Sequence, residues 1–256
     1  MRKLLLLLFA FLLPAPVFAA ITQVAETCAT QIGGGDGSDL TSSSINTTGA
    51  DLIIIFYTYY DSGGSPSIPL TDTHTGCASS CNTFHPLTQL SIHQNSSRIA
   101  YAWNASGGTS HTFTESAGGG LYNGTFCVVA YSGSQTSSDP FDKEDSNYAF
   151  TGNTLQPGGS GTFTPTAANS LVVTGINVTQ QNNPLTISGG SFSIVDQIGP
   201  GTDKLSAYAQ VIQTAITGVN PTWGTDGVGD SQANIAAFKA AVAGPARRPG
   251  HAMVLQ

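Results

Sequence analysis

The residues with the most definite chemistry in this sequence are four cysteines, Cys28, Cys77, Cys81 and Cys127. When a chain enters an oxidising compartment, an even number of cysteines favours disulfides over metal binding or catalysis. Only three residues separate Cys77 from Cys81, so a bridge between them costs little chain entropy and leaves Cys28 to pair with Cys127. The sequence therefore predicts these two disulfides.

The alternative for the same residues is a zinc site. His74 and His85 lie on either side of the loop that Cys77 and Cys81 close, and imidazole with thiolate is a common donor set for zinc. The spacing matches no common zinc finger, so the disulfides are the preferred interpretation.

A cluster of carboxylates is the second candidate site. Its members are Asp139, Asp142, Glu144 and Asp145, four acids within seven residues. Such a density of oxygen ligands could bind calcium, so calcium is a possible cofactor. The order lacks the EF-hand arrangement and Lys143 interrupts it, so a solvated acidic loop is the simpler interpretation.

Aromatic side chains are the third candidate, because sugars stack on exposed rings. Tyr101 and Trp103 alternate with Ile99 on one face of a predicted strand. A strand with this pattern commonly supplies a core. Trp223, between Pro221 and Gly224, is the better candidate for a ring at the surface, and a position capping the core is the equal alternative for it.

A glycoside hydrolase would need two carboxylates about 5 to 10 Å apart on rigid strands. Glu26 and Glu115 are the only glutamates in strand-like runs, without the E-x-D-x-E pattern of sandwich-fold glucanases. A polysaccharide lyase could use Arg98 and Tyr101 with His93 or His111, but a strand places Arg98 and Tyr101 on opposite faces. An enzyme is therefore the second interpretation rather than the first.

These residues must be positioned by β-strands, because short β-rich runs separated by turn formers fill the chain. In the run from Asp51 to Tyr60 both faces are apolar, which predicts a central strand covered on both sides. The segment from Asp139 to Gly159 is predicted to be a long irregular connection, and Asn95-Ser96-Ser97 a turn. Ser231 to Val242 is ambiguous between helix and strand, and we favour the strand. The fold class is all-β, a single antiparallel β-sandwich of the jelly-roll type.

The start of the chain predicts export. Arg2 and Lys3 precede an apolar run from Leu4 to Leu13, too short to span a membrane, and Val17-Phe18-Ala19 fits a signal-peptidase site. The expected organisation is a signal peptide at 1–19, a sandwich domain at 20–243 and a disordered tail at 244–256. With a formal net charge of −7, the chain lacks the basic footprint of nucleic-acid binding.

Several segments resemble a family of uncharacterised exported or phage-associated β-sandwich proteins. The segments that carry the resemblance are Ile45 to Leu52, Pro86-Leu87-Thr88, Ile99 to Asn104, His111 to Thr114, Asp139 to Asp142, Val219 to Gly224 and Ile235 to Phe238. They cover most of the chain after the leader, but they are turns and core positions. The resemblance therefore implies a fold and no activity. The loop from Cys77 to Cys81 is an insertion relative to that pattern.

The sequence thus predicts a secreted, periplasmic or cell-surface protein that acts as a non-catalytic binding or structural module. An extracellular glycan or a cell surface is its expected partner, and no membrane span is expected after the leader. A carbohydrate-active enzyme is the first alternative. A self-assembling subunit of a surface layer, filament or virion is the second.

Overall fold

The structure, a computed structural model, describes residues 19–31, 39–61, 70–93, 95–116, 121–179, 181, 183–198, 205–227 and 229–242. Apart from Ala19, the expected leader and the expected tail lie outside these residues. Every regular element within the described ranges is a β-strand, and every strand pair is antiparallel. The predicted all-β fold is therefore confirmed.

The first half of the chain, called unit 1 here, forms one large and one small sheet. The large sheet has the order β1-β9-β3-β7-β5, with β6 also paired to β7, and the small sheet has the order β2-β8-β4. The strands of unit 1 are β1 (Thr22–Gln31), β2 (Leu40–Thr41), β3 (Leu52–Asp61), β4 (Leu70–Thr73), β5 (His85–Pro86), β6 (Leu90–Ile92), β7 (Asn95–Trp103), β8 (Thr112–Glu115) and β9 (Leu121–Ser132).

The second half, called unit 2, again forms one large and one small sheet. The large sheet has the order β10-β17-β12-β15-β14, and the small sheet has the order β11-β16-β13. The strands of unit 2 are β10 (Phe141–Ala149), β11 (Thr154–Leu155), β12 (Ser170–Val178), β13 (Thr186–Ser188), β14 (Ser193–Ile198), β15 (Leu205–Gln213), β16 (Thr222–Gly224) and β17 (Ser231–Phe238).

The two units repeat one topology. We number the strands within each unit from one to eight, counting β5 and β6 as one edge position, so that β1 and β10 are both first and β9 and β17 are both eighth. In each large sheet the first, eighth, third and sixth strands are then neighbours in that order. The second, seventh and fourth strands form the small sheet in both units. This alternation between two sheets is the jelly-roll order. The chain therefore contains a tandem pair of eight-position units, a repeat that the sequence analysis did not find.

The large sheets of the two units pack face to face as a sandwich with two-fold character. The first strand of unit 1, β1, contacts β14, and the equivalent strand of unit 2, β10, contacts β6. In the same way β7 contacts β17, and β9 contacts β15. Equivalent elements thus exchange equivalent contacts, as in an isologous dimer interface.

Four layers result, and the apolar cores lie between them. One core, between the large sheets, includes Phe56, Tyr131, Tyr208 and Phe238. A second core lies between the large and small sheets of unit 1, and two further clusters occupy the equivalent space in unit 2. The strand β3 serves both cores of unit 1 because its two faces are apolar, as its sequence predicts.

Both predicted disulfides are present. Cys28 lies directly opposite Cys127 in the antiparallel pair of β1 and β9, and Cys77 bonds to Cys81 in the loop after β4. Within the described part of the chain, no helix has the length and apolarity that a membrane span requires.

Two local predictions are wrong and one is confirmed. The segment predicted as an irregular connection contains β10, which pairs with β17 over its whole length. The predicted turn at Asn95-Ser96-Ser97 is the beginning of β7, where these polar residues are buried. The ambiguous segment from Ser231 to Val242 contains the strand β17, as favoured, and all eight residues of that strand are buried.

Gly175 permits the close approach of the two large sheets. A Cβ atom at this position would lie only 2.3 Å from Cγ of Phe56, which is itself fully buried. Overpacking of this kind typically costs about 1–3 kcal/mol. We therefore expect Gly175→Ala to lower the free energy of unfolding by that amount, measured by urea denaturation. Gly161→Ala is the control, because its nearest neighbour would be 3.4 Å away. Equal effects of the two substitutions would contradict the packing argument.

Candidate functional site

The aromatic residues proposed from the sequence do not form a surface site. Trp223 is completely buried, and its Nε1 donates to Thr174 Oγ1 at 3.1 Å, so the prediction of a surface ring there is wrong. Tyr101 is 4% exposed and donates its hydroxyl to Asp139, and Trp103 is half-buried against the core between the large sheets. Burial and the hydrogen bond to Asp139 raise the pKa of Tyr101.

The four carboxylates proposed for calcium are not brought together. Asp139 accepts from Tyr101, and Asp142 accepts from Thr166 and forms an ion pair with Lys239. Glu144 accepts from the amide and hydroxyl of Thr88, and Asp145 is exposed and accepts from the next amide of its own strand. Each acid thus has its own protein donor.

The position of these acids has a structural reason. The strand β10 is an edge strand of its sheet. Charged side chains on an exposed edge oppose pairing with another chain. Burial opposes the ionisation of Asp142, but its hydrogen bonds with Thr166 and the charge of Lys239 prevail and lower its pKa. Asp145 is therefore the exposed charge on this edge, and Asp139, Asp142 and Glu144 are accounted for by their local contacts.

The same edge strand carries an exposed aromatic surface that the sequence analysis missed. Tyr148 is 42% exposed and Phe150 is 47% exposed, and their ring centroids lie 5.1 Å apart in an edge-to-face arrangement. The ring of His93 lies 5.0 Å from that of Phe150. We call these three residues the aromatic platform.

Elements of both units position the platform. His93 follows β6 in unit 1 with a left-handed backbone (φ 53°), and its Nδ1 lies 3.0 Å from Asp230 Oδ2 in unit 2. Tyr148 is fixed by the pairing of β10 with β17, where it lies opposite Gln232. The platform thus lies where the edges of the two large sheets meet.

A groove of about 400 Å³ borders the platform, with Tyr148 as a shared residue. Hydrogen bonds hold its polar side chains in place. Asn147 Nδ2 donates to the backbone carbonyl of Gln156, and Gln156 Nε2 donates to Thr222 Oγ1. The lining residues are Asn147, Tyr148, Ala149, Thr154, Leu155, Gln156, Gly159, Ser160 and Thr222. Amides and hydroxyls beside exposed rings make a site for a neutral, hydroxyl-rich ligand.

The sequence held one signal for this site. Tyr148 and Phe150 alternate at the end of what proves to be a strand, in a segment whose acids and prolines predicted a loop. Tyr148 lies near the end of the edge strand β10 and Phe150 lies directly after it, and both rings are exposed there. The groove has no sequence signal, because residues far apart in the chain line it.

A buried network of hydrogen bonds in unit 1 joins Thr47, His111 and Asp72. Thr47 Oγ1 lies 2.6 Å from His111 Nδ1, and His111 Nε2 lies 2.9 Å from Asp72 Oδ2. All three residues are at most 1% exposed. The Thr47 hydroxyl is also bonded to Gly108, whose amide donates to it at 3.0 Å. A hydroxyl so enclosed cannot reach a substrate, so the network stabilises the fold rather than serving as a catalytic triad.

Glu115 is a buried acid in the core of unit 1. It is fully buried on β8, and neither carboxyl oxygen has a hydrogen-bond partner among the described residues. Burial raises the pKa of Glu115 to about 8. Glu115 also raises the pKa of the buried Tyr57, where burial has the largest effect and Arg98 acts in the opposite direction.

Glu26, the other glutamate considered for hydrolysis, lies elsewhere. It is on β1, at the opposite edge of the large sheet from the platform, and partial burial together with the charge of Asp196 raises its pKa. Arg98 and Tyr101 face opposite sides of β7, towards different cores, as the sequence predicts. The residues considered for an enzyme therefore do not form one site.

Comparison of the chain with protein-family models, with curated proteins and with solved structures finds no match. Membership of the exported or phage-associated sandwich family therefore stays a prediction.

The buried acid Glu115 predicts a pH dependence of stability. Its pKa rises from 4.5 in the unfolded chain to about 8 in the folded protein, so the folded state binds more protons between these values. The contribution of Glu115 to the free energy of unfolding is therefore fully present below about pH 4.5 and is lost as the pH rises towards 8. At ~1.4 kcal/mol per pKa unit, the loss reaches up to about 5 kcal/mol. Glu115→Gln should abolish this loss, as measured by urea denaturation across the range. The exposed Asp145→Asn should retain it, and parallel curves for wild type and Glu115→Gln would refute the assignment.

The buried network predicts a second effect on stability, with the opposite sign in pH. Burial opposes ionisation of Asp72, but hydrogen bonds from His111 and Asn82 prevail and lower its pKa. Its contribution is present above the usual aspartate pKa and disappears as the pH falls through the folded value. Asp72→Asn should therefore cost about 3 kcal/mol at neutral pH. Thermal unfolding from pH 2 to 7 should show the variant converging on wild type in acid, and a constant difference would contradict this assignment.

Proposed function

We propose that this protein is exported and acts as a non-catalytic glycan-binding module, and that its binding site is the aromatic platform with the adjoining groove. The observation that carries the proposal is the pair of exposed rings, Tyr148 and Phe150, beside a groove that Tyr148 helps to line together with amides and hydroxyls. Sugar rings present C–H groups that pack on aromatic faces and hydroxyls that bond to amides. The two disulfides suit a protein that works in an oxidising environment outside the cytoplasm.

Several features favour binding over catalysis at this place. The carboxylate nearest to the platform among those with described contacts, Asp230, is engaged by His93. The groove itself is lined by neutral side chains. Hydrolysis of a glycosidic bond would need an acid and a base in the groove. A neutral, partly preorganised groove instead suits recognition of an uncharged sugar chain.

Glycan binding predicts specific losses in two variants. A soluble glycan identified on an array should bind to the purified protein in a calorimetric titration. Tyr148→Ala and Phe150→Ala should each weaken that binding about tenfold, since a stacked ring contributes up to about 1.5 kcal/mol. Gln156→Ala should weaken it as well, because Gln156 orders Thr222 in the groove.

The matched control is Val24→Ala, which removes an exposed apolar side chain on β1, at the opposite edge of the large sheet from β6. Its affinity for the glycan should equal that of wild type. Equal losses in the control and the ring variants, or no bound glycan, would contradict the proposal. Release of reducing sugar that depends on Glu26 would favour the enzyme, and concentration-dependent assembly by light scattering without glycan binding would favour the structural subunit.

A further inference from the structure

The loop that Cys77 and Cys81 close contains a third ligand for a metal ion. A ring nitrogen of His74 and the sulfurs of both cysteines all lie within 4.8 Å of one another. It is the only set of three or more potential metal ligands within that distance in the described residues. His85, the second histidine considered from the sequence, lies on β5 beside Tyr101, with 5.4 Å between ring centroids.

The backbone holds these three residues close together independently of the disulfide. His74 and Cys77 exchange both backbone hydrogen bonds, at 3.0 and 2.9 Å, around Gly76 with its left-handed backbone (φ 95°). On the far side of the loop, the amide of Asn82 donates to Asp72 Oδ1 at 2.9 Å. One end of the loop is thus closed by the His74–Cys77 pair directly after β4, and the other end is anchored to Asp72 of β4; neither contact depends on the disulfide.

The imidazole of His74 is also held in position. Its Nδ1 lies 3.0 Å from the carbonyl oxygen of Thr75, and its Nε2 lies 3.1 Å from Ser106 Oγ. A carbonyl oxygen only accepts, so Nδ1 is the donor in that contact, and Nε2 is the nitrogen that would bind a metal ion. The ring fits because Gly108 has no side chain, since a Cβ there would lie 2.5 Å from Nδ1. A carbonyl bond of this kind commonly orients the histidine ligands of metals.

We propose that the Cys77–Cys81 disulfide and a thiolate-preferring metal ion are alternative occupants of one redox-controlled site, with His74, Cys77 and Cys81 as ligands. A dithiol reduces the bridge, taking its own sulfurs to a disulfide and leaving two thiols on this chain. The metal ion then displaces one proton from each thiol and binds the two thiolates and the imidazole. Two sulfurs and one nitrogen select zinc or a monovalent copper ion over calcium or magnesium.

The two disulfides differ in a way that makes the reduction selective. Cys127 is 1% exposed and its bridge to Cys28 closes a separation of 99 residues, so its loss would release a large chain entropy. The bridge between Cys77 and Cys81 spans a separation of 4, and the residues between them are exposed. A short, partly exposed bridge in an exposed loop adds less to stability than the long one and is the more accessible to an attacking thiol.

The test uses Co²⁺ as a spectroscopic probe for the zinc site. The purified chain is reduced under native conditions with a phosphine, which does not compete for the metal, until two thiols per chain are titratable. We expect one Co²⁺ per chain, with thiolate charge-transfer absorption and the visible bands of tetrahedral coordination, and displacement by Zn²⁺. The oxidised chain should show none of these signals.

Matched variants assign the ligands. His74→Ala should weaken Co²⁺ binding about 100-fold or more, since even outer-shell partners contribute 10–100-fold, and Cys77→Ser with Cys81→Ser should abolish the charge-transfer band. His85→Ala should bind as wild type does, and circular dichroism confirms that each variant is folded. Failure of the reduced chain to bind Co²⁺, unchanged affinity in His74→Ala, or a site that persists without Cys77 and Cys81 would each overturn the proposal.

Discussion

The face-to-face packing of the two large sheets is the interaction on which the rest of the structure depends. Among the described residues, a three-stranded sheet covers the outer face of each large sheet. The inner faces of the two large sheets cover one another. Close approach is possible because Gly175 leaves room for Phe56. Hydrogen bonds also cross this interface. The hydroxyls of Tyr131 and Tyr208 are bonded at 2.8 Å, and Ser97 Oγ donates to Asn234 Oδ1 at 2.7 Å. Satisfied polar pairs of this kind specify one register of two sheets.

The aromatic platform is a consequence of that packing. Because equivalent strands exchange contacts, the first strand of unit 2, β10, lies against β6 at the edge of unit 1. The rings of Phe150 and His93 are in contact there. Neither unit alone contains the three rings. The groove, in contrast, is built within unit 2 from β10, β11 and β16, so a ligand that occupies both features would contact both halves of the chain.

The sequence predicts those features that depend on a short stretch of the chain and not on contacts between distant residues. The run from Leu52 to Tyr59 is apolar on both faces, and only a strand between two cores meets that condition. The cysteine pairing follows from loop length, which is also a local quantity. The strand β10 escapes prediction because an edge strand needs no alternation of apolar and polar residues, and because its charges resemble those of a loop. The platform and groove escape prediction with it.

The internal repeat escapes detection because equivalent strands of the two units carry different side chains. Leu40 pairs with Glu115 between β2 and β8, whereas Leu155 pairs with Trp223 between the equivalent strands β11 and β16. Glu115 and Trp223, the partners of Leu40 and Leu155 in these pairs, are both fully buried. Unit 2 fills the space with an indole whose N–H is satisfied by Thr174. Unit 1 places a carboxyl group there, and the apolar surroundings keep it protonated up to about pH 8.

The two proposed sites also divide between the units, and the contacts imply that they act independently. The loop from His74 to Cys81 is bonded to Asp72, Ser106 and Thr109, all within unit 1. These anchors lead to the buried pair of Asp72 and His111 rather than towards β6 or β10. Coupling between distant sites needs an element with two arrangements that both sites bias. The described contacts beneath the loop show no such element, so we expect a change in the redox state of the loop to leave the platform and the groove in place.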